Sequence, residues 1–229
     1  MLVKSYKHIT CSTCLAKSNS LIDKLNDSEL SELEQSRGCS YYKKQDTLFV
    51  EGSYPRGVFC LNHGKVKVFA RGDEDKEQII HIAKPGEIIG FRAMLSGDPY
   101  RVSAEALEEC AICFITQDEF FKMIDSNTDF RNEIIRGLSK ELGERAVSIT
   151  DMAQKSVRER IAASLLQLKD IYGDEPINLS REDLANYVGT ATDTLIRFLK
   201  EFKEEGLIDI QTRKVFITNS TKLHKISGR

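Results

Sequence analysis

The spacing of apolar residues changes character along the chain. Leu21, Ile22, Leu25, Leu30 and Leu33 recur at helical intervals, and Asp27, Ser28 and Glu29 place polar and acidic groups where a helix would start. This predicts one or two short helices. From Cys39 to Thr116 the apolar runs shorten and alternate. Thr47–Val50, Gly57–Leu61, Gly64–Ala70, Gln78–Ile82, Glu87–Gly90, Val102–Ala106 and Cys110–Ile115 read as strands, with Gly52, Gly72, Gly86 and Gly97 among the bends. Short strands at this spacing predict a small barrel or roll. Helical spacing then returns. Asp118–Asp125 reads as a short helix, Asp129–Gln154 as a long one, and Ile161, Leu165, Leu166 and Leu168 as a third ending near Gly173. The fold class is α+β.

Within the long helix, Ile135, Leu138, Leu142, Ile149 and Met152 fall on a heptad seam, with Arg145 as its polar exception. A single apolar seam calls for a partner, either a second copy of the chain or its own roll. Lys155 to Val157 reads as a hinge. The expected domains are 1–127, a roll with N-terminal helices; 128–156, the long helix and hinge; and 157–229.

The last domain carries the most specific pattern. Ser180 with Asp183 three residues on starts a helix that buries Leu184, Ala185 and Val188, and Gly189 ends it. After the turn Gly189–Thr192, a second helix runs to Gly206 with Leu195, Phe198, Leu199 and Phe202 as its apolar stripe. Leu207–Ile210, a polar turn from Gln211 to Arg213, and Val215–Ile217 then read as a hairpin. Two helices joined by a tight turn and followed by a hairpin form a winged helix-turn-helix, whose second helix enters the DNA major groove. The face left over carries Thr192, Asp193, Ile196, Arg197 and Lys200, flanked by Thr190 and Thr194. Arg197 can grip guanine through two hydrogen bonds, and Asp193 can accept one from a cytosine amine. Arg181, Lys203, Arg213 and Lys214 add cations for a backbone stripe; the plain alternative is a solvated charged surface.

Composition narrows this reading. The chain has 229 residues, 41% apolar, enough for ordinary cores. No apolar run is long enough to span a membrane, and Met1 to Thr10 is too polar for a signal peptide, so the expected compartment is the cytoplasm. A net charge of −2 argues against a general polycation. The residues after Ser156, with 12 basic and 11 acidic side chains, are faintly positive. There is no Walker A loop, GxSxG or HExxH pattern, so an enzyme is not expected.

The segments Leu184-Ala185-Asn186-Tyr187-Val188-Gly189, Asp193-Thr194-Leu195-Ile196-Arg197 and Gly206-Leu207-Ile208 resemble the DNA-binding end of the family of the cyclic-AMP receptor protein and the fumarate and nitrate reduction regulator. Gly57-x-Phe-x-Leu-x-x-Gly64-x-Val-x-Val-Phe and the Pro85-Gly86-Glu87 turn resemble the cyclic-nucleotide-binding β-roll of the same family. The resemblance runs from about Leu21 onward. It implies a bacterial transcription factor that dimerises through the long helix, binds a two-fold symmetric operator on double-stranded DNA, and has RNA polymerase as a partner. Asp193 and Arg197 stand where the family places its base-reading acid and arginine. Asp193 is shorter than the usual glutamate, and Ile196 replaces a serine of the oxygen-responsive branch.

The resemblance also defines an effector region at Gly90, Phe91, Arg92, Tyr100, Arg101 and Val102. Members that bind cyclic AMP follow the cassette glycine with an acid and use an Arg-Ser pair for the phosphate. Here those positions are Phe91, then Arg101 and Val102, while Arg145-Ala146 stands for the adenine-contacting Thr-Ser pair. Only Arg101 survives, too few donors for a buried phosphate, so cyclic AMP is not the expected ligand. Arg101 is expected to meet a protein carboxylate or another anion.

Six cysteines suggest other chemistry. Cys11 and Cys14 have metal-ligand spacing, and Cys113 falls where the oxygen-sensing branch keeps its distant iron–sulfur ligand. That branch's third N-terminal cysteine is Ser20 here, and four thiolates normally hold such a cluster. Cys39 would substitute only through a chain rearrangement, Cys60 lies in a strand, and Cys110 and Cys113 point to opposite faces. No metal or cofactor is therefore expected. Reduced thiols, with a redox pair at Cys11 and Cys14 as the alternative, are the reading.

Overall fold

The structure, a computed structural model, describes residues 11, 14, 21–72 and 76–228. Ser20 lies outside them. A 3-10 helix at Leu21–Lys24 precedes α1 (Asp27–Ser36). Asn26 caps α1 reciprocally: its side-chain oxygen accepts from the Glu29 N–H at 3.0 Å, and the Glu29 carboxylate accepts from the Asn26 N–H at 2.8 Å. The strands are β1 (Gly38–Tyr42), β2 (Thr47–Phe49), β3 (Gly57–His63), β4 (Val66–Arg71), β5 (Glu77–Ala83), β6 (Ile88–Ile89), β7 (Ser103–Ala106) and β8 (Cys110–Thr116). They form two four-stranded sheets, ordered β1-β8-β3-β6 and β2-β7-β4-β5. This is the expected roll.

Two elements were not visible in the sequence pattern. In β1 no residue is buried, so its apolar and polar positions do not alternate; it is held as an edge strand by its register on β8, from Gly38↔Phe114 to Tyr42↔Cys110. The short helix α2 (Phe91–Ser96) follows directly on Gly90, the residue at which the expected strand ended. Gly90 takes φ 88°, a left-handed conformation that ends the strand.

The described chain divides into two compact units. The first comprises residues up to Val68 and Ala83–Lys140; the second comprises Phe69–Ile82 and Glu141–Arg229. The division differs from the expected domains, because α4 (Thr128–Gln154) is shared and β5 goes with the C-terminal half. One core of the first unit gathers Leu30 and Leu33 of α1, Val58 and Cys60 of β3, Ile115 of β8, Phe120 and Met123 of α3 (Gln117–Ser126), and Phe130 and Ile134 of α4. Three- and four-residue spacing explains each helical pair.

In the second unit, α4 ends at Gln154 and α5 (Val157–Tyr172) begins after Ser156. The break sits at the expected hinge and has its own cap, the Ser156 N–H donating to the Glu159 carboxylate at 2.8 Å. Next come α6 (Arg181–Val188), α7 (Thr192–Glu204), the paired β9 (Ile208–Gln211) and β10 (Lys214–Ile217), and α8 (Ser220–Ser227). Beyond the wing, α8 lies along α5, with Leu223 fully buried and the Lys169 ammonium donating to the Ser220 hydroxyl at 2.7 Å.

Candidate nucleic-acid interface and effector region

Three local devices build the reading face. Ser180 caps α6, its hydroxyl accepting from the Asp183 N–H at 2.9 Å. Gly189 then turns the chain at φ 75°. Leu195, Leu199 and Phe202 are fully buried, which fixes the rotation of α7. Asp193, Ile196, Arg197 and Lys200 consequently point outward, with Thr190, Thr192 and Thr194 half-buried at the rim. Ile196 remains 48% exposed. Phe198, expected in the core stripe, is only half-buried; its ring lies 4.9 Å beneath the Arg197 guanidinium and serves as a platform for it.

The cations sort into two groups. Lys203 leaves the expected basic stripe, because it pairs with Asp209 at 3.1 Å and donates to the Ile210 carbonyl at 3.1 Å. It braces the wing. Lys200 faces Glu204 at 3.9 Å with both side chains mostly exposed, a pair that salt and water screen. Arg181 at the start of α6 and Arg213 at the wing tip are different. Partial burial pulls the Arg181 guanidinium pKa down, and the nearby Arg213 charge lowers it further. Among the described residues neither has a carboxylate in ion-pair reach. Two adjacent cations without a counter-charge favour an anion between them.

The turn is also anchored from behind. A Cβ at Gly189 would lie 2.9 Å from the Met152 methyl and 3.2 Å from the Gln78 side-chain oxygen. Gln78 donates to the Asn186 carbonyl at 2.7 Å, and Arg160 donates to the Gly189 carbonyl at 3.3 Å and the Met152 carbonyl at 3.4 Å. The reader is thus fastened to the end of α4 and to β5. Gln78 was read only as the start of a strand and Arg160 was not singled out, since neither lies in a local motif.

Along α4, Ile135, Leu142 and Ile149 are 54%, 73% and 70% exposed, a strict seven-residue row. Met152 is also exposed, and Val147 joins them although it lay outside the expected seam. Two expected members depart. Leu138 is half-buried against its own core, and Arg145 is engaged within the chain, donating to the Ile80 carbonyl and pairing with Glu141 at 3.0 Å.

The effector region is closed by its own side chains. Tyr100 is buried and stacks on Phe49 with ring centroids 4.1 Å apart; Phe59 lies 5.8 Å from Phe49, and Phe114 5.2 Å from Phe59. The Tyr100 hydroxyl would lie 3.2 Å from a Cβ at Gly90, and burial pushes its pKa up to about 12. Tyr100 is therefore core, not pocket lining. Phe91 packs on the core, Arg101 is exposed rather than bound to an internal carboxylate, and Val102 is half-buried. Gly90 and Arg92 sit at the start of α2. These residues do not build a phosphate cradle.

The chain matches a family model described as cyclic nucleotide-binding domain over residues 39–127 and one described as Crp-like helix-turn-helix domain over residues 159–226. It is 28% identical over 193 residues to the transcriptional activator protein anr of Pseudomonas aeruginosa, covering 81% of this chain and 79% of that protein. It is 27% identical over 229 residues to the fumarate and nitrate reduction regulatory protein of Vibrio cholerae, covering 96% and 91%. The chain belongs to the Crp/Fnr family. The same fold occurs in FixK2 from Bradyrhizobium japonicum, with a TM-score of 0.75 at 20% identity over 83% of this chain and 96% of that one. A CooA mutant from Carboxydothermus hydrogenoformans gives 0.73 at 23% identity over 91% and 95%. Among the described residues, no helix is long and apolar enough to cross a membrane.

Membership in this family makes an iron–sulfur centre worth testing against the side chains. Cys39 and Cys113 face each other across β1 and β8 and are joined as a disulfide, so these two are not the reduced thiols expected; Cys11 and Cys14, the alternative redox pair, are not bonded to each other. The Arg37 guanidinium donates to the sulfurs of Cys39 and, at 2.7 Å, Cys113, and it also hydrogen-bonds Cys11. Burial pushes the Cys11 thiol pKa up, against the pull of Arg37. The Asn62 amide donates to the Cys14 sulfur at 2.7 Å. Cys110 is apart, buried beside the Lys65 carbonyl with its pKa pushed up to about 11 by burial. Among the described residues, no group of three or more His, Cys, Asp or Glu is arranged to hold a metal ion.

Proposed function

We propose that this Crp/Fnr-family protein is a homodimeric, cytoplasmic transcription regulator that reads a two-fold symmetric operator and answers to a signal other than cyclic AMP. The observation that carries the DNA reading is the α7 face. Asp193, Ile196 and Arg197 are exposed in its first turns, beside the uncompensated Arg181 and Arg213. Base edges meet the first group and phosphates the second. The exposed row Ile135, Leu142 and Ile149 supports pairing of two copies through α4, as paired readers need half-sites about 34 Å apart. The stack of Tyr100 on Phe49 supports a signal other than cyclic AMP. RNA polymerase is the partner such a regulator addresses.

Selection from a random DNA pool with the reduced, full-length protein tests this. A two-fold symmetric motif is expected, recovered without added nucleotide. Failure to enrich any sequence, with or without reductant and nucleotide, would replace the DNA reading with one in which α6 and α7 dock a protein.

A further inference from the structure

Only Lys155 and Ser156 separate the end of α4 from the start of α5, so so short a hinge leaves the angle of the reader to be fixed by side chains. A helix leaves its last four carbonyls without partners in its own ladder. Two such ends meet here. Asn186 lies in the last turn of α6, and its carbonyl accepts from the Gln78 side-chain amide of β5 at 2.7 Å. Met152 lies in the last turn of α4, and its carbonyl accepts from Arg160 at 3.4 Å, while the other terminal nitrogen of the same guanidinium donates to the Gly189 carbonyl at 3.3 Å. One cation therefore ties the C-terminus of α4 to the turn of the reader, where the negative ends of both helix dipoles favour positive charge. The Met152 sulfur lies 4.0 Å from that guanidinium, and its methyl would stand 2.9 Å from a Cβ at Gly189.

We infer that Gln78, Met152 and Arg160 are positioning residues that clasp the reader to the end of α4 and thereby set the spacing of the two half-sites that the operator must carry. The inference rests on the proposed reading of the chain as a dimeric DNA regulator. The clasp does not block DNA, because it holds the turn from behind while Asp193, Ile196 and Arg197 stay exposed. It does not choose bases either, since none of its side chains belongs to α7. Leu195, Leu199 and Phe202 orient α7 inside the reader, and the clasp orients the reader on the helix that carries the seam.

Met152 connects the clasp to the seam. It follows Ile149 at helical spacing and is 43% exposed, so a second α4 packed along Ile135, Leu142 and Ile149 covers it while its methyl stays on Gly189. The unbranched thioether adapts to both neighbours. The two turns are then held apart at a distance set by helix packing rather than by a free linker. Moving a half-site by one base pair shifts it by about 3.4 Å and rotates it by about 34° around the duplex, which a reader clasped at its turn cannot follow.

The test uses the full-length protein and operators built from the selected motif, with the half-site centres moved by one or two base pairs in each direction and affinity read by fluorescence anisotropy. For the wild type, one inserted base pair should cost at least about tenfold, a part of the about 10²- to 10⁴-fold gain from two linked readers. Gln78→Met keeps the reach of the side chain without its donor, and Arg160→Gln is too short to span both carbonyls. Each variant should weaken the optimally spaced operator by about 3- to 10-fold, as for a lost hydrogen bond. The cost of the inserted base pair should fall to under about threefold, because a loosened reader can follow the displaced half-site. Base preference within each half-site should not change. Arg197→Ala should do the reverse, relaxing one base position and keeping the spacing optimum. Circular dichroism, thermal melting and sedimentation check that the variants are folded dimers. Amide hydrogen exchange reads the clasp without DNA. The Gly189 and Thr190 N–H groups both donate to the Ala185 carbonyl, and in Gln78→Met they should exchange about 3- to 10-fold faster. A wild-type spacing profile in both variants, or an altered base preference, overturns the assignment, and unchanged exchange does so whatever the DNA result. Faster exchange in a protein that selects no DNA sequence would overturn the proposed function and leave the clasp standing.

Discussion

The reader and the roll treat their exposed chemistry in opposite ways. In the reader, α7 buries Leu195, Leu199 and Phe202 completely and leaves Ile196 and Arg197 uncovered, while Arg181 and Arg213 repel one another. In the roll, Tyr100 closes onto Phe49, and Lys65 and Lys67 are buried beside Glu108 at 3.2 Å and Glu105 at 3.4 Å. The reader keeps unspent interactions for a large, anionic partner. The roll satisfies its own groups, so its fold family does not by itself supply a ligand.

The largest effect expected on the reader comes from outside it. Leu142→Asp places a charge at the most exposed point of the seam and should divide the dimer, a change that sedimentation reads directly. Operator affinity should then fall by about 10²- to 10⁴-fold, the gain that two linked readers provide. A variant that sediments as a dimer would show that another surface joins the copies.

A replacement in the roll sharpens the other side of the contrast. Tyr100→Ala removes a buried ring and should cost about 3–5 kcal/mol in urea denaturation without creating cyclic-AMP binding in calorimetry. Tyr100→Phe should cost under about 1 kcal/mol, since the hydroxyl reaches the Gly57 carbonyl only at 3.5 Å. Tight nucleotide binding by the wild-type protein would mean that Tyr100 moves aside, and the closed reading of the region would fail.

The same contrast explains what could be read from residues alone. The reader follows local rules: the Ser180 cap, the Gly189 turn, and the three- and four-residue steps of α7 all lie within a few positions of one another. Its errors were contextual. Phe198 has the spacing of a core residue but supports Arg197, and Lys203 has the charge of a DNA contact but braces Asp209. In the roll the strands and bends were legible, whereas the pairing was not. Cys39 and Cys113 are 74 residues apart in sequence and meet only because an edge strand with no buried residue pairs with β8. Tyr100 was placed in a pocket by its position beside Arg101, but its fate is decided by Phe49, a neighbour in space alone.

Within the reader, base contacts and phosphate contacts can be separated. Arg197→Ala should weaken specific binding by about 1–3 kcal/mol and relax the preference at one base position in the selected motif. Equal loss on specific and random DNA would reassign Arg197 to the backbone.

The smallest expected effect concerns the paired cations. If Arg181 and Arg213 clamp a phosphate, Arg213→Ala should weaken specific and random DNA alike and lower the salt slope of binding by about 1. Relief of the repulsion should also return the Arg181 pKa toward its ordinary value, so this variant should gain slightly in stability while it loses affinity. That opposition distinguishes a binding contact from a structural one, because loss of a structural contact lowers both. Thermal unfolding and salt-dependent DNA titration of the same preparation provide the two readings. An unchanged salt slope would place Arg213 clear of the DNA and leave the wing as a brace for α7.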